Sequence, residues 1–516
     1  MMKYILIGLA IMPSLFLFGQ KHDNLWILGY SHGLGGSEED SLGLSILDFS
    51  SENSLHISSN YQWTLGFDVA STNFSDAKGN YLFSSNGVRI YDREGEWLEG
   101  GENLNENENN GYILPQGVLA LPHPRDSNLY AFFHGRKGST PRMEETWYSE
   151  IDMRKNKGLG AVTSMQPLIQ DTLLYGQITA VKHGNGRDWW IIFQRNCDAF
   201  TRCKNNFFYK VLLNSEGIQV FEQKIQDDLK TNTGLGQAVF TPDGTKYIAV
   251  QGDRFEEPSY IDIYDFDRCT GEFSNRIRIE TVITDRGDGE NGGTGGIAVS
   301  PNSRFLYFNT WKKIFQYDLS KENAQIMQDS SVVVAEYDGF VQYTQSGFPL
   351  GTRFLRGQLA PDGKIYICTT NSTQYLHVIH SPNEKELACN VEQHGIYLPT
   401  FNGFSIPNHP NYRLGAWEGS VCDTLNDPSV STADLFTKTE VKLYPNPASD
   451  LLNITINTKR NYQTISVRLY DLLGNLVRDY HNTTAISLQN YPAGIYLAQI
   501  ALDGAIIQTQ KLIIQR

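Results

Sequence analysis

Short apolar runs broken by turn residues recur along most of this chain. Seven times a glycine opens such a run: Gly66-Phe67-Asp68-Val69-Ala70, Gly117-Val118-Leu119-Ala120-Leu121, Gly176-Gln177-Ile178-Thr179-Ala180, Gly236-Gln237-Ala238-Val239-Phe240, Gly296-Ile297-Ala298-Val299, Gly357-Gln358-Leu359-Ala360 and Gly403-Phe404-Ser405-Ile406. Successive glycines lie 51, 59, 60, 60, 61 and 46 residues apart, a spacing too even for chance, so the body is an internal repeat. A turn follows several of these runs, as in Thr241-Pro242-Asp243-Gly244 and Ala360-Pro361-Asp362-Gly363. Next comes an aromatic run, such as Leu129-Tyr130-Ala131-Phe132-Phe133, Trp189-Trp190-Ile191-Ile192-Phe193 or Phe305-Leu306-Tyr307-Phe308. A third run often ends in Tyr-Asp (Ile90-Tyr91-Asp92, Ile263-Tyr264-Asp265, Gln316-Tyr317-Asp318), and a weaker fourth precedes the next glycine.

Four strands per unit, joined by turns too short for anything but antiparallel pairing, predict one blade of a β-propeller. The seventh unit stops after its first run. Its missing strands are expected at the other end of the chain, in Leu25-Trp26-Ile27-Leu28-Gly29-Tyr30 and Leu44-Ser45-Ile46-Leu47-Asp48-Phe49. Sharing one blade between the chain ends would close the ring and hide unpaired strand edges. The expectation is an all-β chain with a seven-bladed propeller over residues 20–416, six or eight blades remaining open.

A second pattern fills the last eighty or so residues. Leu451-Leu452-Asn453-Ile454-Thr455-Ile456, Ser466-Val467-Arg468-Leu469-Tyr470 and Gly494-Ile495-Tyr496-Leu497-Ala498 alternate, with turn residues between them. They predict a small β-sandwich over residues 441–516. Its opening Tyr444-Pro445-Asn446-Pro447, its Tyr470-Asp471-Leu472-Leu473-Gly474, its Pro492-Ala493-Gly494-Ile495-Tyr496 and its Lys511-Leu512-Ile513-Ile514 resemble the type A C-terminal sorting domain of type IX secretion substrates. The resemblance implies the type IX secretion machinery as a partner, and the outer surface of a Gram-negative bacterium or the medium as destination. It also implies removal of the sorting domain at the surface, often with attachment of the body to lipopolysaccharide. Residues 417–440, rich in Asp, Ser, Thr and Pro, read as the linker between the two domains.

The body resembles a family of secreted repeat proteins from the same bacteria, on Gly79-Asn80-Tyr81-Leu82-Phe83-Ser84-Ser85-Asn86-Gly87 and on Pro407-Asn408-His409-Pro410-Asn411-Tyr412-Arg413-Leu414-Gly415. Its repeats are WD40-like or YVTN-like. That resemblance implies a fold and no activity.

At the start, Lys3 precedes the uncharged stretch Tyr4 to Phe18. A bilayer span needs about 20 apolar residues, so residues 1–19 read as a signal peptide, cut between Gly19 and Gln20. No later run is long and apolar enough to be a transmembrane segment. The formal charge is −14. Residues 437–516 hold eight Lys and Arg against five Asp and Glu, and Lys3 adds one more positive charge, which leaves −18 on residues 20–436. A body that acidic repels nucleic acid and anionic lipid.

Six cysteines in an exported chain point to disulfides. Cys197 and Cys203 bracket a short insertion and are expected to staple it. Cys389 and Cys422 flank the ring-closing region and form the second expected pair, for about 3–4 kcal/mol in the chain-entropy account. Cys269 and Cys368 are left without an assigned partner. Metal binding is the rival reading, but no Cys-x-x-Cys occurs.

Catalytic signals are weak. Gly29-Tyr30-Ser31-His32-Gly33 matches Gly-x-Ser-x-Gly without the helix that a nucleophile elbow needs, so a hairpin turn is the better reading. Asp285, Asp288 and Glu290 sit in a Gly-rich loop that could hold calcium, although the spacing misses the standard pattern and a plain acidic turn is favoured. The Arg286-Gly287-Asp288 within it reads as coincidence. His377 and His380 would point to opposite faces of a strand. Trp189 and Trp190 are expected as one buried and one exposed position. No cofactor is predicted.

Two functions survive. The favoured one is a non-catalytic binding or adhesion propeller for a surface or glycan ligand. The alternative is a secreted hydrolase or lyase with its site at the channel mouth, drawing on Arg195, Asp253, Arg254 and Arg356.

Overall fold

A computed structural model describes residues 20–30, 41–51, 54–105, 111–138, 142–196, 206–225, 236–252, 259–281, 294–423, 440–457, 464–471, 476–502 and 505–515. The chain divides into two compact units, one ending at Cys422 and one running from Asp423 to Arg516.

The first unit is a succession of small antiparallel sheets, each made of strands consecutive in sequence. The first holds β1 (Leu25–Tyr30), β2 (Gly43–Asp48) and β3 (His56–Asn60). The second holds β4 (Thr72–Ser75), β5 (Tyr81–Ser85) and β6 (Ile90–Asp92). The third is β7 (Val118–Pro122), β8 (Leu129–Lys137), β9 (Met143–Asp152) and β10 (Ala161–Leu173). The fourth is β11 (Thr179–Lys182), β12 (Trp189–Gln194), β13 (Phe207–Asn214) and β14 (Gly217–Lys224). The fifth is β15 (Ala238–Phe240), β16 (Lys246–Gln251), β17 (Ser259–Phe266) and β18 (Phe273–Thr281). The sixth is β19 (Thr294–Val299), β20 (Phe305–Thr310), β21 (Lys313–Asp318) and, after the short helix α1 (Ala324–Asp329), β22 (Val332–Glu336). A hairpin of β23 (Val341–Tyr343) and β24 (Pro349–Gly351) precedes the seventh sheet, β25 (Phe354–Leu359), β26 (Ile365–Thr369), β27 (Thr373–Ile379) and β28 (Val391–Asn402).

The turns behave as their residues dictate. In Thr241-Pro242-Asp243-Gly244, the Asp243 carboxylate accepts from the Thr241 hydroxyl at 2.6 Å and the Thr245 amide at 3.0 Å. Gly244 then takes φ +74°, which side-chain-bearing residues resist.

No sheet is covered alone. Ile27 and Leu44 of the first sheet pack with Phe67 and Tyr91. One cluster joins sheets two to four through Phe74, Phe83, Phe132 and Trp189. Trp190 and Phe208 meet Tyr247 and Tyr264 of the fifth sheet, and Ile248 and Ile261 meet Leu306 and Phe308 of the sixth. Phe305 and Ile314 pack on Phe354 and Ile367, and Tyr366 and Leu376 of the seventh sheet pack on Trp26 and Leu47 of the first. Each large side chain so buried contributes about 1.5–3 kcal/mol. This packing corrects one expectation: Trp189 and Trp190 are both buried, because both faces of the fourth sheet are covered by neighbours.

Two further expectations differ from the structure. The run after Gly66 is not a strand, and the second sheet starts only at Thr72. The N-terminal strands β1 and β2 form a hairpin as expected, but β3 completes their sheet, and no ladder links it to residues 403–406. Pro407 and Pro410 lack amide donors and bracket Asn408 and His409, so this stretch cannot sustain a ladder. Ile406 still packs in the same cluster as Trp26.

The second unit holds two sheets. One contains β29 (Glu440–Tyr444), β30 (Leu451–Asn457) and β33 (Ala485–Ser487). The other contains β31 (Ile465–Tyr470), β32 (Leu476–His481), β34 (Gly494–Leu502) and β35 (Ala505–Ile514). Val441, Leu452, Ile454 and Ile486 of the first share one core with Val467, Leu469, Ala498, Ile500 and Leu512 of the second, which makes it a sandwich.

Candidate functional site

The run after β28 behaves as a strap. Residues 403–416 pass the inner strands of several sheets instead of joining one. Asn408 Nδ2 donates to the carbonyls of Val118 (2.9 Å) and Ile178 (2.8 Å), in the third and fourth units. Arg356 donates to the Phe404 carbonyl. Gln358 Nε2 donates to the His409 carbonyl at 3.1 Å, Asn411 Nδ2 to the Pro242 carbonyl at 2.8 Å, and the Tyr412 hydroxyl to the Ala120 carbonyl at 2.9 Å. One short segment reaches units three, four, five and seven only along a line that those sheets share.

Glutamines beside the repeat glycines span the same region. Gln116 accepts from the Ala238 amide at 2.7 Å and donates to the Ala238 carbonyl at 2.9 Å, linking the third and fifth sheets. Gln237 accepts from the Ile297 amide at 3.0 Å and donates to the Gly357 carbonyl at 2.7 Å. Gln177 donates to the Val250 carbonyl at 2.9 Å. Such close approach explains the glycines: a Cβ on Gly236 would lie 2.1 Å from the Val250 carbonyl oxygen. The repeated Gly-Gln pairs at Gly176, Gly236 and Gly357 were the readable trace of this network.

Beside the strap lies a cavity of about 280 Å³, lined by inner-strand apolar residues and by Asp23, Gln116, Gln358, His409 and Arg413. Asp23 Oδ2 pairs with Arg413 Nη1 at 2.7 Å, and Arg413 Nη2 donates to Asn24 Oδ1 at 2.9 Å. His409 is buried, and neither of its ring nitrogens has a partner among the described residues. Burial lowers its pKa to about 4 against the opposing pull of Asp23, so the ring is neutral near pH 7.

A different surface lies at the outer edge of the seventh sheet. Phe340 stacks on His394 at 4.2 Å and meets Tyr375 edge-on at 5.3 Å; Tyr375 meets Tyr397 at 5.5 Å. Gln374 Nε2 donates to the Tyr397 hydroxyl at 3.1 Å, and Gln342 Nε2 donates to Gln374 Oε1 at 2.7 Å. The neighbouring hairpin presents Tyr343 and Phe348. Tyr343, Phe348 and Tyr397 are 68%, 63% and 57% exposed. Two ion pairs lie here, His394 with Asp338 at 2.9 Å and His380 with Glu392 at 2.7 Å. The aromatic-rich stretch from Tyr337 to Phe348, inserted between two units, was the unread sequence signal.

The cysteine expectation needs correction. Cys422 bonds to Cys269, with Cα atoms 5.6 Å apart, and Cys389 is a free thiol. The strap delivers Cys422 to the turn between β17 and β18, and just before it Trp417 N donates to the carbonyl of Gly184, in the turn between β11 and β12, at 2.7 Å. Cys389 instead packs in the core between the sixth and seventh sheets. Burial pushes the thiols of Cys368 and Cys389 up, leaving both unreactive. Cys197, Cys203, Asp285, Asp288, Glu290, Ser31, Asp253, Arg254 and Gly19 lie outside the described residues. Arg195 pairs with Asp171 at 3.0 Å, and the buried Arg356 donates to the Phe404 carbonyl. His377 is buried beside Phe354, while His380 is at the surface. Among the described residues no group of three His, Cys, Asp or Glu could hold a metal ion, and no helix is long and apolar enough to cross a membrane.

Residues 442–515 match the family described as the secretion system C-terminal sorting domain. The match supports export by the type IX system to the cell surface or the extracellular space. No curated protein matches the chain. Among solved structures, a functionally unknown protein from Desulfotomaculum acetoxidans DSM 771 is 15% identical with a TM-score of 0.40, covering 75% of this chain and 99% of that one. A putative 6-phosphogluconolactonase from Bacteroides uniformis ATCC 8492 is 11% identical with a TM-score of 0.34, covering 96% of this chain and 100% of that one. The Pseudomonas aeruginosa periplasmic gluconolactonase is 10% identical with a TM-score of 0.30, covering 74% and 99%. At such distances nothing of their activity transfers.

Proposed function

We propose that residues 20–416 are a seven-bladed propeller, WD40-like or YVTN-like in its repeats, that works outside the cell as a non-catalytic binding module for a neutral glycan. Residues 1–19 act as its signal peptide, and of the expected linker 417–440 the part after Cys422 tethers it to the sorting domain. The cyclic order of sheet packing, ending with the seventh sheet against the first, supports the closed ring. The strap runs past the inner strands, and Gln116, Gln177, Gln237 and Asn408 spend polar atoms on backbone groups there.

The observation that carries the binding reading is the exposed ring set of Tyr343, Phe348 and Tyr397 beside Phe340 and Tyr375. Aromatic faces pack against the apolar C–H faces of sugar rings, and a hydroxyl that already accepts from Gln374 has its proton free to give to a sugar. Paired charges around the patch, on a body carrying −18, favour a neutral partner over a polyanion. A glycan array probed with the secreted body tests this. Binding to neutral glycans that falls at least tenfold in Tyr397→Ala and Tyr343→Ala supports it. Unchanged binding in both variants, or binding to no neutral glycan, refutes it.

A second reading rests on the buried His409, which belongs to the cavity lining with Asp23 and Arg413 and whose ring nitrogens have no partner among the described residues. A neutral imidazole there could act as general base in a hydrolase or lyase. Turnover of ester, lactone or glycoside probes that His409→Asn abolishes would favour this enzyme over the binding module.

A further inference from the structure

A second cleft, of about 670 Å³, lies where the turns after β4, β7 and β11 converge on residues 20–22. Its most unusual occupant is Lys182. The residue is 5% exposed, and no carboxylate pairs with it among the described residues. Its ammonium bonds to Gln20 Oε1 at 2.9 Å and lies 5.4 Å from the Trp189 ring centre. A buried ammonium without a counter-charge is costly, and proteins seldom keep one without a use. Burial, helped by Arg268, lowers its pKa to about 8, so most of it stays charged near neutrality.

Two buried histidines line the same cleft, His22 at 2% and His123 at 4% exposure. Their tautomers follow from their neighbours. His22 Nδ1 lies 2.7 Å from the Ser75 carbonyl, which can only accept, so Nδ1 carries the proton and Nε2 offers a lone pair. The His123 Nδ1 accepts from the Arg125 amide at 3.1 Å, so its Nε2 is the donor. His22 Nε2 lacks a hydrogen-bond partner among the described residues, and His123 Nε2, beyond hydrogen-bond reach of any, faces the Glu150 carboxylate at 3.8 Å.

The acidic groups of the cleft are already engaged. Asp76 accepts from the amides of Lys78 and Asn80 at 2.8 and 2.9 Å, and Asp126 pairs with Arg154 at 2.9 Å. Of its cations, Arg125 and Arg187 are paired with Glu150 and Asp188, and Lys78 stands in solvent, so the buried Lys182 ammonium and the His22 Nε2 lone pair are the groups the cleft interior leaves to a ligand. A simple oxyanion satisfies the first and repels the second. A neutral sugar leaves the ammonium unpaired. A molecule with both a carboxylate and hydroxyls satisfies both.

We propose that this cleft binds a small hydroxylated carboxylate, such as a uronic or sugar acid, with its carboxylate on Lys182 and a hydroxyl donating to His22 Nε2. The site is separate from the aromatic patch, so either can fail without the other.

Titration calorimetry on the secreted chain with glucuronate, methyl glucoside, acetate and sulfate tests the proposal. Glucuronate should bind at least tenfold more tightly than each of the others. Lys182→Met should weaken it at least tenfold, and His22→Phe, which keeps the ring stacked on Phe74, should erase the preference over acetate. Lys182→Gln provides the same readout if Lys182→Met does not fold. A preference smaller than tenfold, or a lysine variant that binds glucuronate within tenfold of the parent, overturns the proposal.

Discussion

Cys269 and Cys422 are joined across 153 residues of sequence, and Cys422 closes the first compact unit just after the strap has run its course. The bond holds the strap's far end at the turn between β17 and β18. Cys422→Ser should therefore destabilise the body by about 2–5 kcal/mol, read as a lower melting temperature. Non-reducing peptide mapping should recover the Cys269–Cys422 pair, and Cys368 and Cys389 should alkylate only after unfolding.

Asn408 ties the strap to two sheets at once through the Val118 and Ile178 carbonyls. Asn408→Ala leaves two buried acceptors without a donor and should cost about 2–4 kcal/mol in urea denaturation. Asn408→Asp should be at least as damaging, because a carboxylate cannot donate to either carbonyl.

Of the five histidines buried among the described residues, four carry the largest pKa shifts and should make the body acid-sensitive. Burial lowers His22 and His409 to about 4 and His134 and His377 to about 3, against 6.5 when unfolded. Their folded-state pKa values are depressed, so the unfolded chain binds protons first as pH falls. Stability should be complete above about pH 6.5 and fall below it, by about 1.4 kcal/mol per pH unit for each histidine, down to the folded values. Melting temperatures from pH 7.5 to 4.5 measure the slope, and His377→Gln should reduce it.

The fourth sheet's two tryptophans predict a packing cost on either side. Trp190→Ala opens a cavity against Tyr247 and Phe266 and should cost about 3–5 kcal/mol, as should Trp189→Ala against Tyr412. Had either ring been a surface platform, its loss would change stability by less than about 0.5 kcal/mol. Chemical denaturation of both variants separates the two cases.

The sorting domain predicts a localisation result. Deleting residues 442–516 should keep the protein from the cell surface, while the purified body retains its melting temperature, because the two units have separate cores. Fractionation of native cells and calorimetry check the two halves of this expectation.

Much of the architecture was legible in the chain because alternation and turn chemistry act over a few residues. The glycine spacing announced the repeated sheets, and β1 and β2 fall on the runs at Leu25 and Leu44. Residues 442–515 could be read almost letter by letter. The Gly-Gln pairs were visible too, but their meaning was not, since Gln237 meets Gly357 only after two further sheets have folded between them.

What the tertiary structure alone decided concerns groups distant in sequence. Pro407 and Pro410 forbade the last strand, but only the folded body shows that the strap threads past four other units. Cys422 pairs with Cys269, not Cys389, because the strap sets where its end emerges, and no local pattern encodes that position. Lys182 ends β11, His22 precedes β1 and His123 follows β7, each unremarkable alone, and they acquire chemistry only when burial removes water from all of them together.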